Sequence, residues 1–137
     1  MGKLIDRLKD PKRSGVYRAA RADEVLDAVK GSKLLLARVA FADKAALLQN
    51  IAKALDFPDW FGGNWDALED CLTDLSWRDA PGYVLLFDET KASDERGVLI
   101  DVLGSSAEFW AGRGKPFFAV FIDAQRALPL PELFRNA

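Results

Sequence analysis

Three apolar runs that do not alternate with polar residues constrain this chain most: residues 34–41 (LLLARVAF), 83–87 (YVLLF) and 117–122 (FFAVFI). A strand with one wet face alternates apolar and polar side chains, whereas a strand covered on both faces reads as a continuous apolar run. Segments of helical periodicity lie between the runs, and a helix between two such strands is the usual crossover of a parallel sheet, expected to be right-handed. The sequence therefore predicts an α/β fold, a small three-stranded parallel sheet packed with helices. Arg38 interrupts the first run and must reach a sheet edge or a carboxylate.

The helical segments carry their own signals. Residues 23–30 (DEVLDAVK) place acids at the start and a lysine at the end of a short helix, with Gly31 as its stop. Asp43 caps a helix predicted to run through Leu55, with Leu48, Ile51, Ala52 and Leu55 on one face, and Pro58 forbids its continuation. Residues 93–114 form a third helical region, where Gly104, Ser105 and Ser106 predict a kink or a break.

At 137 residues, half of them apolar, the chain suits one globular core without metal or disulfide staples. Within it, residues 1–32 are expected as a basic N-terminal extension with a short helix, 33–122 as the main domain, and 123–137 as a tail packed on it through Leu128, Leu130, Leu133 and Phe134. Cys71 is the only cysteine, so no internal disulfide forms; its place on an apolar helix face makes it a core residue. There is no histidine, which removes Ser/His and Cys/His nucleophile pairs and nearly every zinc site. No catalytic residue, cofactor or metal is expected, and the absence of a long apolar run or leader-like start gives a cytoplasmic expectation.

The most informative stretch is residues 58–77, PDWFGGNWDALEDCLTDLSW. It joins an aromatic, Gly-hinged loop to a helix with Asn64 as its cap, Trp65, Leu68, Cys71, Leu72 and Leu75 on the buried face, and Asp66, Asp70, Thr73 and Trp77 opposite. Asp66, Asp70 and Asp74 at i, i+4, i+8 stack like charges, at a few tenths of a kcal/mol per pair. Folding alone would not select that. From residue 54 to 77 there are six acids, Asp56, Asp59, Asp66, Glu69, Asp70 and Asp74, and no Lys or Arg. Removing those six from 21 acids leaves 15 against 19 bases, so the acidity is local and points to a partner with a positive surface. A solvated acidic face would explain the charges but not the aromatics Trp60, Phe61 and Trp77 among them. A Mg²⁺ or two-carboxylate site on Asp66 and Asp70 lacks a Gly-rich phosphate loop or lysine partner.

The string FPDWFGGNWDALEDCLTDL resembles the barstar family, the small intracellular inhibitors of barnase-type ribonucleases, and the order of elements from about residue 34 to 122 is similar. The resemblance implies a barstar-like fold and a partner that is a basic ribonuclease of the barnase type, with no direct nucleic-acid or membrane contact. It also implies a mechanism: loop and helix plug the active site, and a carboxylate takes the place of an RNA phosphate. Carried over by position, Asp70 enters the phosphate site with Asp66 beside it. Trp60 stacks on catalytic groups, Gly62 and Asn64 lie against the enzyme, and Glu69 and Thr73 continue the contacting face. Glu69 stands where the family commonly has a large aromatic, Asp74 where it can have glycine, and Trp65 where an aliphatic is usual. The alternative expectation is a barstar-like interaction module that binds a different basic protein.

Overall fold

The computed structural model describes residues 3–40, 43–88 and 94–134. In chain order they form α1 (Leu4–Leu8), a 3-10 turn (Pro11–Arg13), β1 (Gly15–Ala19), α2 (Ala22–Val29), β2 (Leu35–Ala40), α3 (Lys44–Ala54), α4 (Trp65–Leu72), a second 3-10 turn (Ser76–Arg78), β3 (Tyr83–Asp88), α5 (Asp94–Ala111) and β4 (Phe117–Ile122). All strands are parallel, in the order β1-β4-β3-β2.

The sheet thus has four strands where the sequence predicts three. The additional one, β1, comes from the segment expected as a basic extension, and it pairs Gly15–Ala19 with Phe118–Ile122. Only Val16 and Tyr17 are strand formers in it, and all five residues are half-buried. Val16 packs on one face of the sheet and Tyr17 and Ala19 on the other, but at the edge none is fully buried, so the strand leaves no long apolar run. Tyr17 stacks on Phe118 at 5.7 Å, and the backbone of Arg18 bonds the tail through Pro131 O and Leu133 N.

The three apolar runs are explained by two covered faces. Successive side chains of a strand point to opposite sides. Ala37, Val39, Leu85, Phe87, Phe117, Ala119 and Phe121 pack under α3, α4 and α5, while Val84, Leu86, Phe118 and Val120 pack against Leu4, Leu8, Val25, Val29 and Leu133. Arg38 resolves its conflict in both available ways. It lies on the edge strand β2 and grips Asp88 of β3 with two hydrogen bonds, at 2.8 and 3.1 Å.

The tail is tied down by Asp123, whose carboxylate accepts from the Leu128 amide at 2.7 Å. Burial opposes that charge, yet the amides of Leu128, Ala127 and Gln125 and the charge of Arg18 outweigh it and hold the carboxyl below its usual range.

Helix α5 runs unbroken through Gly104, Ser105 and Ser106, so the break expected there as one of two outcomes does not occur. Interior glycine costs about 1 kcal/mol, but each fully buried Leu or Val returns about 1.5–3 kcal/mol. Leu99, Val102, Leu103, Ala107 and Trp110 are all buried, and Ser106 satisfies itself by donating to Val102 O at 2.9 Å. A Cβ at Gly104 would meet nothing within 4 Å. Gly104→Ala is accordingly expected to stabilise the protein by about 0.5–1 kcal/mol, a rise of roughly 2–4 °C in Tm by calorimetry.

Among the described residues no helix is long and apolar enough to cross a membrane.

Candidate partner-binding surface

The surface is built from the end of α3, the following loop and α4. After Leu55 the chain turns at Asp56, in the left-handed region at φ 52°, and Asp56 forms an ion pair with Arg78. Phe57 packs edge-on against Phe61 at 5.0 Å and against Trp77 at 5.9 Å. A tight turn, with Phe61 N donating to Pro58 O at 3.0 Å, sends Phe61 inward and leaves Trp60 at its tip, 60% exposed. Apart from Trp60, only Val98, at 40%, is an exposed large hydrophobic among the described residues.

The two glycines then differ. Gly63 has φ +71°, which a side chain would strain. Gly62 lies outside that region, and a Cβ there would meet only ordinary contacts, with Asn64 Nδ2 at 3.6 Å and Ala67 Cβ at 3.7 Å. Among the described residues nothing demands glycine at that exposed position.

Asn64 starts α4 as expected, its Oδ1 accepting from Ala67 N at 2.8 Å. Leu68, Cys71 and Leu72 are buried and Trp65 is half-buried, so the opposite face carries Asp66, Glu69 and Asp70, all exposed, with Thr73 half-buried at its end. These four positions are i, i+3, i+4 and i+7, one face of a helix. Asp66 sits in the first turn, where the helix dipole favours an anion. Asp70 sits in the last turn, at the negative end of the helix dipole, with no basic residue in that turn to offset it. The Thr73 hydroxyl is committed internally, donating to Glu69 O at 2.8 Å. Among the described residues none of Asp66, Glu69 and Asp70 is ion-paired.

Two readings of the stretch need correction. Asp74 is not on the helix, which ends at Leu72 with Thr73 as its cap; Leu75 then adopts the left-handed region at φ 51°, and the Asp74 carboxylate accepts from Ser76 N at 3.3 Å. Asp74 therefore has a local turn-forming role. Trp77 is not an exposed aromatic on the outer face of α4. It is half-buried on the 3-10 turn, donating its indole N–H to Leu55 O at 2.9 Å.

A second tryptophan matters for the same reason. Trp110 of α5 donates Nε1–H to Leu72 O at 2.7 Å, so it satisfies a carbonyl at the end of α4. Sequence reasoning missed this bond. The available signal was general: a buried indole N–H seeks an acceptor, and the last turn of a helix offers four.

The acidic face also acts on Cys71, whose thiol is pushed up to about 11, first by burial and then by the charges of Asp70 and Asp74. Relative to an ordinary thiol at 9.0, the thiolate fraction at pH 8 falls on the order of a hundredfold. Cys71 is expected to react with a thiol reagent at least that much more slowly than free cysteine, with the difference abolished in denaturant. Asp70→Asn should raise the reaction rate in the folded protein.

Among the described residues no group of three or more His, Cys, Asp or Glu side chains is assembled as a metal site.

A family model described as Barstar (barnase inhibitor) matches residues 33–122. This chain belongs to the barstar family. The matched region contains the whole of the loop, α4 and the second 3-10 turn. No curated protein matches the chain. Strand β1, α1, α2 and the tail lie outside the matched region.

Proposed function

We propose that this protein is an inhibitor of a basic ribonuclease of the barnase type, acting inside the cell that makes the enzyme and having no catalytic activity of its own. The observation that carries the reading is the carboxylate of Asp70 in the last turn of α4, which has no ion-pair partner among the described residues. It is exposed, unfavourable for the helix that bears it, and flanked on the same face by Asp66 and Glu69. A cleft that binds polyanionic RNA must be lined with Lys and Arg. A rigid helix presenting carboxylates competes for that cleft, and long-range attraction steers it there.

In this reading Asp70 takes the place of a phosphate, Asp66 meets neighbouring cations, and Trp60 supplies the aromatic contact. Gly62 lets the enzyme approach the backbone closely, Asn64 fixes the start of α4, and Glu69 and Thr73 extend the contact along the helix. Asp66, Glu69 and Asp70 bring their charges on a preformed element, so little ordering is required on association.

A second reading, a barstar-like module for a different basic protein, draws on Glu69, an additional acid where the family commonly carries a large aromatic. The test is capture from lysate and culture medium of the source organism at low and high salt. Wild-type bait is compared with Asp66→Ala/Asp70→Ala, with mass spectrometry and an RNA-cleavage assay on the eluate. Capture and silencing of a basic ribonuclease by wild type alone supports the inhibitor. Equal capture by the double variant, or capture of basic proteins that do not cleave RNA, favours the second reading.

A further inference from the structure

We propose that Trp77 is a positioning residue for the binding surface: it holds the indole of Trp60 outward in a fixed orientation without itself touching the partner. The inference rests on the reading of Trp60 as a contact residue and adds how that contact is prepared.

Trp60 sits at the tip of a loop, not on a helix. An exposed tryptophan at a turn would ordinarily sample several rotamers and lose that freedom on binding. Its ring contact is with Trp77, edge to face at 6.0 Å and 88°. Trp77 meets Phe57 in the same way, at 5.9 Å and 86°. The Trp77 ring is in turn anchored by its N–H bond to Leu55 O, at the C-terminal end of α3.

The turn that carries Trp77 is fixed twice more. Arg78 pairs with Asp56, the residue after Leu55, so two consecutive residues of the turn grip two consecutive residues of the chain leaving α3. On the other side, the Asp74 carboxylate receives Ser76 N. Rigidity therefore passes from α3 through Trp77 to Trp60. The carboxylates of α4 need no such support, because a helix already fixes their Cα–Cβ vectors.

The test has one arm in the free protein and one in the complex. Two indoles held edge to face at this distance give an exciton couplet in the far-ultraviolet circular dichroism spectrum. Wild type is expected to show the couplet and both Trp60→Phe and Trp77→Phe to lose it, while Val98→Ala retains it. With barnase as the probe, Trp77→Ala is expected to weaken association about tenfold. Trp60→Ala/Trp77→Ala should then bind no more weakly than Trp60→Ala alone, because the second residue acts through the first. Trp77→Phe, which keeps ring packing but loses the anchor to Leu55, should fall between wild type and Trp77→Ala. Absence of the couplet from wild type overturns the proposal, as does a double variant whose loss is the product of the two single losses. If wild type does not bind barnase, the ribonuclease reading falls for that enzyme, and the couplet alone decides whether Trp77 orients Trp60.

Discussion

Asp70→Ala is expected to weaken association with a barnase-type ribonuclease by at least about 2 kcal/mol, or roughly thirtyfold, making it the most damaging single truncation on the surface. The barnase–barstar complex is itself one of the cases behind that scale, so the figure is a floor taken from it and not a derived value. The informative part is the opposite effect on stability. Asp70 lies in the last turn of α4 with no cation near it in sequence, four residues after Asp66, and its charge opposes both the helix dipole and that neighbour. Asp70→Asn should therefore raise the stability of the free protein by a few tenths of a kcal/mol while losing most of the binding. Chemical denaturation and isothermal titration on the same preparations measure the two effects. A residue kept for folding would lose stability instead.

Trp110→Ala is expected to produce the largest loss of stability, about 3–5 kcal/mol from a total that is typically 5–15 kcal/mol. Its indole is buried against Tyr83 at 5.3 Å and Phe109 at 5.2 Å, and its N–H holds Leu72 O. Trp110→Phe separates the two contributions. It keeps most of the packing but leaves a buried carbonyl unpartnered, which costs about 1–3 kcal/mol. Hydrogen exchange on that variant should show faster opening in the last turn of α4, where Asp70 sits, than in α5. Uniform acceleration throughout the core would mean that Trp110 is only filler.

Much of the fold was legible because two-sided burial leaves a strong trace in sequence. Runs such as FFAVFI can be neither amphipathic helices nor half-wet strands, and β2, β3 and β4 follow from them. Strand β1 left no such trace, being an edge strand with two strand formers and a charge at Arg18. The continuity of α5 was hidden for a different reason. Gly104 and two serines lower local propensity, and only the tertiary burial of Leu103, Ala107 and Trp110 outweighs them.

At the candidate surface, the cap at Asn64 and the division of α4 into buried and acidic faces were readable from periodicity. The end of the helix was not. Extending the i+4 series to Asp74 and the outer face to Trp77 presumes that the helix continues past Leu72, whereas it ends there and Leu75 turns the chain through the left-handed region. The end of the helix thereby turns Asp74 from a member of the acidic stack into a turn cap and Trp77 from an exposed ring into a support for Trp60.

The most direct test of the central claim is a titration of RNA cleavage by a barnase-type ribonuclease with this protein, at several RNA and salt concentrations. The account predicts complete inhibition at one inhibitor per enzyme, relief by excess RNA before equilibrium is reached, and an association rate that falls steeply as salt rises. Inhibition unaffected by RNA, or an association rate indifferent to salt and to Asp66→Ala/Asp70→Ala, would contradict the claim that the acidic face of α4 occupies the RNA site.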